Sequence, residues 1–181
     1  MSECEKYFGL YRGTVLVNVD PERRGRLIVS VPDVLKLLPS TWAEPVVTLA
    51  GPVGAPSGTY IVPAIGAGVW VQFEQGDLNY PIWNGCRATS AADIPVLAQL
   101  GNPVSPPVII QSMGQQMVMI SDSPLPPLLP AGGILLSTGT SYIRLDKTGV
   151  TIFGATVRVN GATVVDVNGG ALTVSGPAPA M

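Results

Sequence analysis

Toward the end of the chain, apolar and polar positions alternate in short blocks. From Tyr142 to Val174 the sequence reads YIRLD, KTG, VTIF, GA, TVRV, NG, ATVVDV, NGG, ALTV. Val157 and Val159, Val165 and Val167, and Leu172 and Val174 lie two apart, with Thr156, Arg158, Asp166 and Thr173 at the alternate positions. A period of two puts such residues on one face of a β-strand, and Gly or Asn-Gly between blocks supplies tight turns. The pattern predicts half-buried strands whose apolar face needs cover. So few short strands cannot bury that face alone. The simplest cover is another copy of the same chain.

Upstream, Tyr11–Val19 alternates and runs into the turn Asp20-Pro21-Glu22-Arg23-Arg24-Gly25, after which Arg26–Val31 runs back as the second arm of a hairpin. A long connection holding Trp42 precedes Tyr60–Val62, Gly68–Phe73, the turn Glu74-Gln75-Gly76-Asp77 and Tyr80–Trp83. Five strands with a long excursion suggest a small Greek-key barrel of the OB type. Residues 88–107 read as a linker with an extended, proline-containing end. A second regime begins at Val108 with VIIQS, QQMVMISD, the proline-rich SPLPPLLPAGG and ILLST. The only helical turns expected are near Asp33–Leu38 and Ala91–Leu100. The fold class is therefore all-β, with domains expected at 1–87, 108–175 and a terminal segment at 176–181.

Charge sharpens this picture. Charged residues make up 12 % of the 181-residue chain, with a net charge of −2, about half the usual share for a globular domain. Pro45 to Phe73 and Ile94 to Ser121 carry none. Surfaces so poor in charge usually mark contacts. Prolines and glutamines interrupt both stretches, so neither offers an apolar helix of about 20 residues. The start, MSECEKYFGLYRG, has no apolar signal core, so secretory export is not expected. With no histidine and two cysteines, the commonest general base and the usual zinc and iron sites are missing. No catalytic residue, cofactor or metal site is expected. Cys4 and Cys86 read as two free thiols, with a bridge between them as the alternative.

Particular motifs carry a family resemblance. YRGTVLVNVDPERRGRLIVSVPDV, the Trp42-Ala43-Glu44-Pro45 run and PAIGAGVWVQFEQGDLNYPIWNG resemble the baseplate assembly protein V family, the central spike of contractile phage tails and related injection systems. The third stretch matches the family pattern at Pro63, Gly66, Val69, Val71, Phe73, Glu74, Gly76, Asp77, Pro81 and Gly85. QQMVMISDSP and GILLSTGTSYIRLDKTGVTI are similar to segments that lead into a triple-stranded β-helix in phage and type VI secretion spikes. The resemblance covers roughly residues 10–175. It implies an OB-fold collar followed by an intertwined trimeric β-helix, a structural and non-enzymatic spike that plugs a tube and pierces an envelope. Implied partners are two further copies, a baseplate hub or tail tube protein, a PAAR-type tip protein and, transiently, the target envelope. The implied location is a phage tail or injection particle assembled from protein made in the cytoplasm. The iron-binding His-x-His tip of some relatives does not carry over, and no room exists for the lysozyme domain of others.

On that architecture each strand is expected to pair with a strand of a neighbouring chain. Val157, Val159, Val165, Val167, Leu172 and Val174 are expected to face the axis and Arg158 and Asp166 to face out. The closing SGPAPAM has two readings, a frayed end or a cap in which Pro177, Pro179 and Met181 contact a tip protein. Rival readings are an OB-fold module binding nucleic acid or glycan with a flexible tail, and an envelope-degrading spike. Net negative charge and few aromatics speak against nucleic acid. Arg23, Arg24 and Arg26 beside Asp20 and Glu22 read as a solvated hairpin tip, and Trp42, Trp70 and Trp83 as packing residues. Glu74 and Asp77 read as turn chemistry with a salt link across an interface.

Overall fold

Two sets of strands form from the two regimes of the sequence. A computed structural model describes residues 5–159, and the chain divides between Ile94 and Pro95 into two compact units. In the first unit β1 (Tyr11–Val17), β2 (Ile28–Ser30), β3 (Glu44–Pro45), β4 (Gly68–Phe73) and β5 (Pro81–Arg87) form one sheet in the order β2-β1-β4-β5-β3. Register shifts in β1 between Val15 and Val17 and in β4 between Val69 and Val71 add the bends that curl a sheet. The edges then meet through reciprocal Leu27–Ala43 backbone bonds of 3.1 and 2.7 Å. Inside lie Val15, Leu27, Val29, Val31, Ala43, Val69, Val71, Phe73 and Trp83. The unit is the expected curled β-barrel sheet. The expected strand at Tyr60–Val62 is absent. Tyr60 and Ile61 are exposed, and the segment lies between Gly58, whose φ is +149°, and Pro63, which cannot donate to a ladder.

The Asp20 turn ties this unit together. Its carboxylate accepts from the backbone N–H of Glu22, Arg24 and Arg26 and from the Arg26 guanidinium, at 2.7–3.3 Å. The Asp20 and Arg26 side chains are only 2 % and 12 % exposed, so the solvated tip expected here holds for Arg24 alone of the two paired arginines. Arg26 also stacks over Trp42 at 5.5 Å, and Trp83 Nε1 donates to the Gly25 carbonyl at 3.1 Å. The Arg26 hydrogen bonds, helped by the three backbone N–H groups and opposed by burial, hold the Asp20 carboxyl well below its ordinary value. A depressed carboxylate contributes stability above its unfolded pKa, about 3.9, and that contribution is lost as pH falls toward the folded value. Thermal melts of the full chain should therefore show a midpoint falling between about pH 4 and pH 2, and Asp20→Asn should flatten that dependence. An equally steep acid loss in Asp20→Asn would contradict this assignment.

The second unit begins with a short helix, α2 (Val96–Leu100), α1 being the one-turn Pro32–Leu35 helix of the first unit. It then forms β6 (Val108–Gln111), β7 (Met117–Ser121), β8 (Gly133–Ser137), β9 (Tyr142–Asp146) and β10 (Gly149–Phe153). These strands pair consecutively and antiparallel, in the order β10-β9-β8-β7-β6. The expected pairing between chains is thus corrected for residues 108–153, where each strand finds its partner in its own chain. Three of the four connections are short, at 112–116, 138–141 and 147–148, and closing so few residues costs little entropy; even the longer 122–132 connection adds little, because that cost grows slowly with length. Asp146 accepts from Thr148 N in one such turn, and Ser112 N donates to Gln116 O in another.

Candidate functional site

The two faces of the second sheet differ. On one, Met119 and Leu135 pack beneath Leu125 and Leu129, with Leu97, Ile109, Met117, Leu128 and Tyr142 at the margin. The covering loop is the proline-rich 122–132 segment, pinned by reciprocal Leu125–Leu129 backbone bonds of 2.6 and 2.8 Å. Gly133 lets this loop enter β8. Its φ is +125° and a Cβ there would lie 2.1 Å from the Leu145 carbonyl oxygen, so only glycine fits. Arg144 and Asp146 share this face. Arg144 Nε lies 3.0 Å from Asp146 Oδ2, in a geometry outside a hydrogen bond. Asp146 is held below the usual carboxylate range, first by the Thr148 hydroxyl and backbone N–H and then by the Arg144 charge.

The opposite face has no cover from the described residues. Strand register aligns Ile110, Val118, Leu136, Ile143 and Ile152 in one row across all five strands. Val108, Ile120, Ile134, Leu145 and Val150 form a second row beside it. Every one of these side chains is exposed, from 37 % at Ile143 to 66 % at Ile110 and Val150. No charge interrupts either row. Directly opposed aliphatic pairs support one another across strands, yet an apolar stripe this continuous is unusual on a monomer's surface. Where the first row meets the 112–116 and 138–141 turns, it borders an open groove of about 570 Å³ whose lining includes Val157.

Among the residues expected from sequence to face a trimer axis, Val157 and Val159 are 51 % and 68 % exposed and follow β10 without regular strand structure. Arg158 is exposed as well. Val165, Val167, Leu172, Val174, Pro177, Pro179 and Met181 lie outside the described residues. The two rows upstream were not singled out from sequence. Their signal was the same i, i+2 spacing, hidden because Ile109, Met119 and Leu135 between them are apolar too and serve the covered face.

In the first unit two arginines of the Asp20 turn are ion-paired. Arg24 pairs with Glu44 at 3.0 Å and Glu22 at 3.4 Å, and Arg26 with Asp20 and Glu22. Trp83 is core, Trp42 lies under Arg26, and Trp70 lies under Arg87 at 5.9 Å, so the tryptophans pack as expected. Asp77 caps its own turn by accepting from Asn79 N and Nδ2 at 3.0 and 2.9 Å. Cys86 in β5 is a free, exposed thiol, and Cys4 lies outside the described residues. Among the described residues no cluster of three or more metal-ligating side chains occurs, and no helix is long and apolar enough to cross a membrane.

Residues 11–87 match the family model described as the type VI secretion system/phage-baseplate injector OB domain. Residues 107–173 match that of the phage baseplate V C-terminal trimerisation domain, a span that contains the whole uncovered face. No curated protein matches the chain.

Proposed function

The chain belongs to the phage baseplate V and type VI secretion spike family, a structural baseplate component for which a homotrimer is supported, and from that premise we propose that it is the central spike of a contractile tail or injection particle. In this reading three OB collars sit under the tail tube and plug it, against a hub or tube protein. The following β-structure forms a stiff needle that pierces the target envelope when the sheath contracts. A PAAR-type tip protein on the terminal segment, at Pro177, Pro179 and Met181, completes the reading. The work is mechanical and requires no catalytic group.

The uncovered, charge-free aliphatic face within the trimerisation match carries this proposal. Burying the exposed half of one such side chain is worth about 1 kcal/mol. The whole face then supplies on the order of 10 kcal/mol per protomer before the costs of association. Strands that are fully paired and covered on both faces unfold slowly, as a load-bearing part requires. Quantitative mass spectrometry of purified contractile particles should find three copies of this chain per particle. Its absence from intact particles, or a copy number matching the sheath or tube, would remove the spike assignment.

A further inference from the structure

We infer that the first units of neighbouring copies are joined head to tail. The Lys36–Leu38 turn of one copy seats its two leucines in the groove beside Trp42 and Tyr80 of the next, and Lys36 pairs there with Glu74. The inference rests on the trimeric spike reading and adds to it a contact in the collar, separate from the trimerisation match at residues 107–173.

The turn is built to hold leucines in water. On its entering side Leu35 N donates to the Val31 carbonyl at 2.8 Å, and Leu38 N closes the turn onto the Leu35 carbonyl at 3.0 Å. On its leaving side Ser40 N donates to the Val29 carbonyl at 2.9 Å, and Ser40 Oγ accepts from Val29 N at 3.0 Å. Val29 and Val31 are core residues, so both ends of the turn are fixed to the barrel. Between them Lys36 has a φ of +56° and a ψ of −113°, a region that glycine enters freely and a residue with a side chain enters at a cost. The two leucines that follow are 99 % and 70 % exposed. Strain of this kind persists where the surroundings impose it, and it gathers at places with a task. The Lys36 side chain has no partner among the described residues.

The groove is its complement. Trp42, Pro45, Val46, Tyr80 and Ile82 line an open cleft of about 300 Å³ at the β3–β5 edge, with Val46 53 % and Tyr80 61 % exposed. Two carboxylates border it. Glu44 is engaged by Arg24 at 3.0 Å, whereas the Glu74 side chain makes no hydrogen bond or ion pair among the described residues. An apolar turn with one unpaired cation therefore meets an apolar cleft with one unpaired anion. Complementary charge of this sort fixes register and orientation at a contact. Leu37 is too exposed to occupy the groove of its own chain, so the occupant comes from another copy. Turn and groove are different surfaces, which makes the contact heterologous, and a heterologous contact closes into a ring when its rotation matches the copy number.

Mixed trimers of full-length Cys4→Ser/Cys86→Ser protein test this. One chain carries Leu37→Cys and the other Tyr80→Cys, so a disulfide can form only between chains. Brief oxidation of the co-expressed mixture should give covalent dimers on a non-reducing denaturing gel, and either variant alone should give none. Leu38→Cys with Val46→Cys, both at exposed positions, repeats the test if the first pair does not fold. Adding Lys36→Glu to the first chain should lower the cross-linked fraction about two- to fivefold, and Glu74→Lys in the second chain should restore it. Mixtures that are trimeric by mass but uncross-linked with both pairs would overturn the inference while the spike reading stands, and would assign the turn to a hub or tube protein. Dimers from Leu37→Cys alone would show turn against turn and overturn the head-to-tail arrangement. Protein that is monomeric by mass would overturn both readings.

Discussion

Leu136→Asp should leave the full-length chain a monomer. Leu136 lies on β8, the central strand of the sheet, in the first aliphatic row, and is 43 % exposed in the single chain. In a trimer packed through this face three carboxylates would enter one dry interface, with no cation among the described residues of that face to pair them. Even after relaxation, taking one unpaired ion out of water costs several kcal/mol, and three like charges in one layer repel as well. That exceeds what the lost leucine contacts alone would remove, about 1–3 kcal/mol per side chain. The single chain should keep its β-structure, because Met119, Leu125, Leu129 and Leu135 on the other face are untouched. Native mass spectrometry at micromolar concentration checks the first point and circular dichroism the second. Arg158→Ala, at an exposed position, should remain trimeric. Trimers of Leu136→Asp as stable as those of the parent would place the interface elsewhere.

Trp83→Ala should be the most damaging single change in the first unit. Trp83 is 6 % exposed within the barrel core, and its Nε1 satisfies the Gly25 carbonyl at 3.1 Å. Gly25 has a φ of +81°, a conformation suited to glycine, and its neighbour Arg26 belongs to the buried Asp20 pair. Truncation leaves a large cavity and an unpaired carbonyl, so the expected loss is about 3–5 kcal/mol. A domain's whole stability is on the order of 5–15 kcal/mol. Arg24→Ala offers the contrast. Its pairs with Glu22 and Glu44 are half exposed, and its loss should cost less than about 1 kcal/mol. Urea titration followed by circular dichroism would read both. A Trp83→Ala loss as small as that of Arg24→Ala would mean the barrel does not depend on the Gly25–Trp83 contact.

The sequence was legible where one face of a strand is wet. Tyr11–Val17 and Gly68–Phe73 alternate, and both appear as strands at or near the expected bounds. Tyr142–Asp146 and Gly149–Phe153 likewise alternate between turns and become β9 and β10. The Asp20 turn was visible as a turn, but not as a buried ion pair, since nothing in DPERRGR says which arginine folds inward. The two aliphatic rows of residues 108–152 escaped the sequence reading for a related reason. In Val118-Met119-Ile120 and Ile134-Leu135-Leu136 all three residues are apolar, and the middle one serves the face covered by the 122–132 loop. Period two disappears when both faces are apolar. Pairing within the chain was equally hidden, because the same turns permit strands to pair locally or to pass to a neighbour.

The most direct measurement is the mass of the full-length wild-type protein in solution, by native mass spectrometry or light scattering at micromolar concentration. The account predicts a single species of three times the 18.8 kDa chain mass. A folded monomer, in which the two aliphatic rows stay open to water, would contradict it.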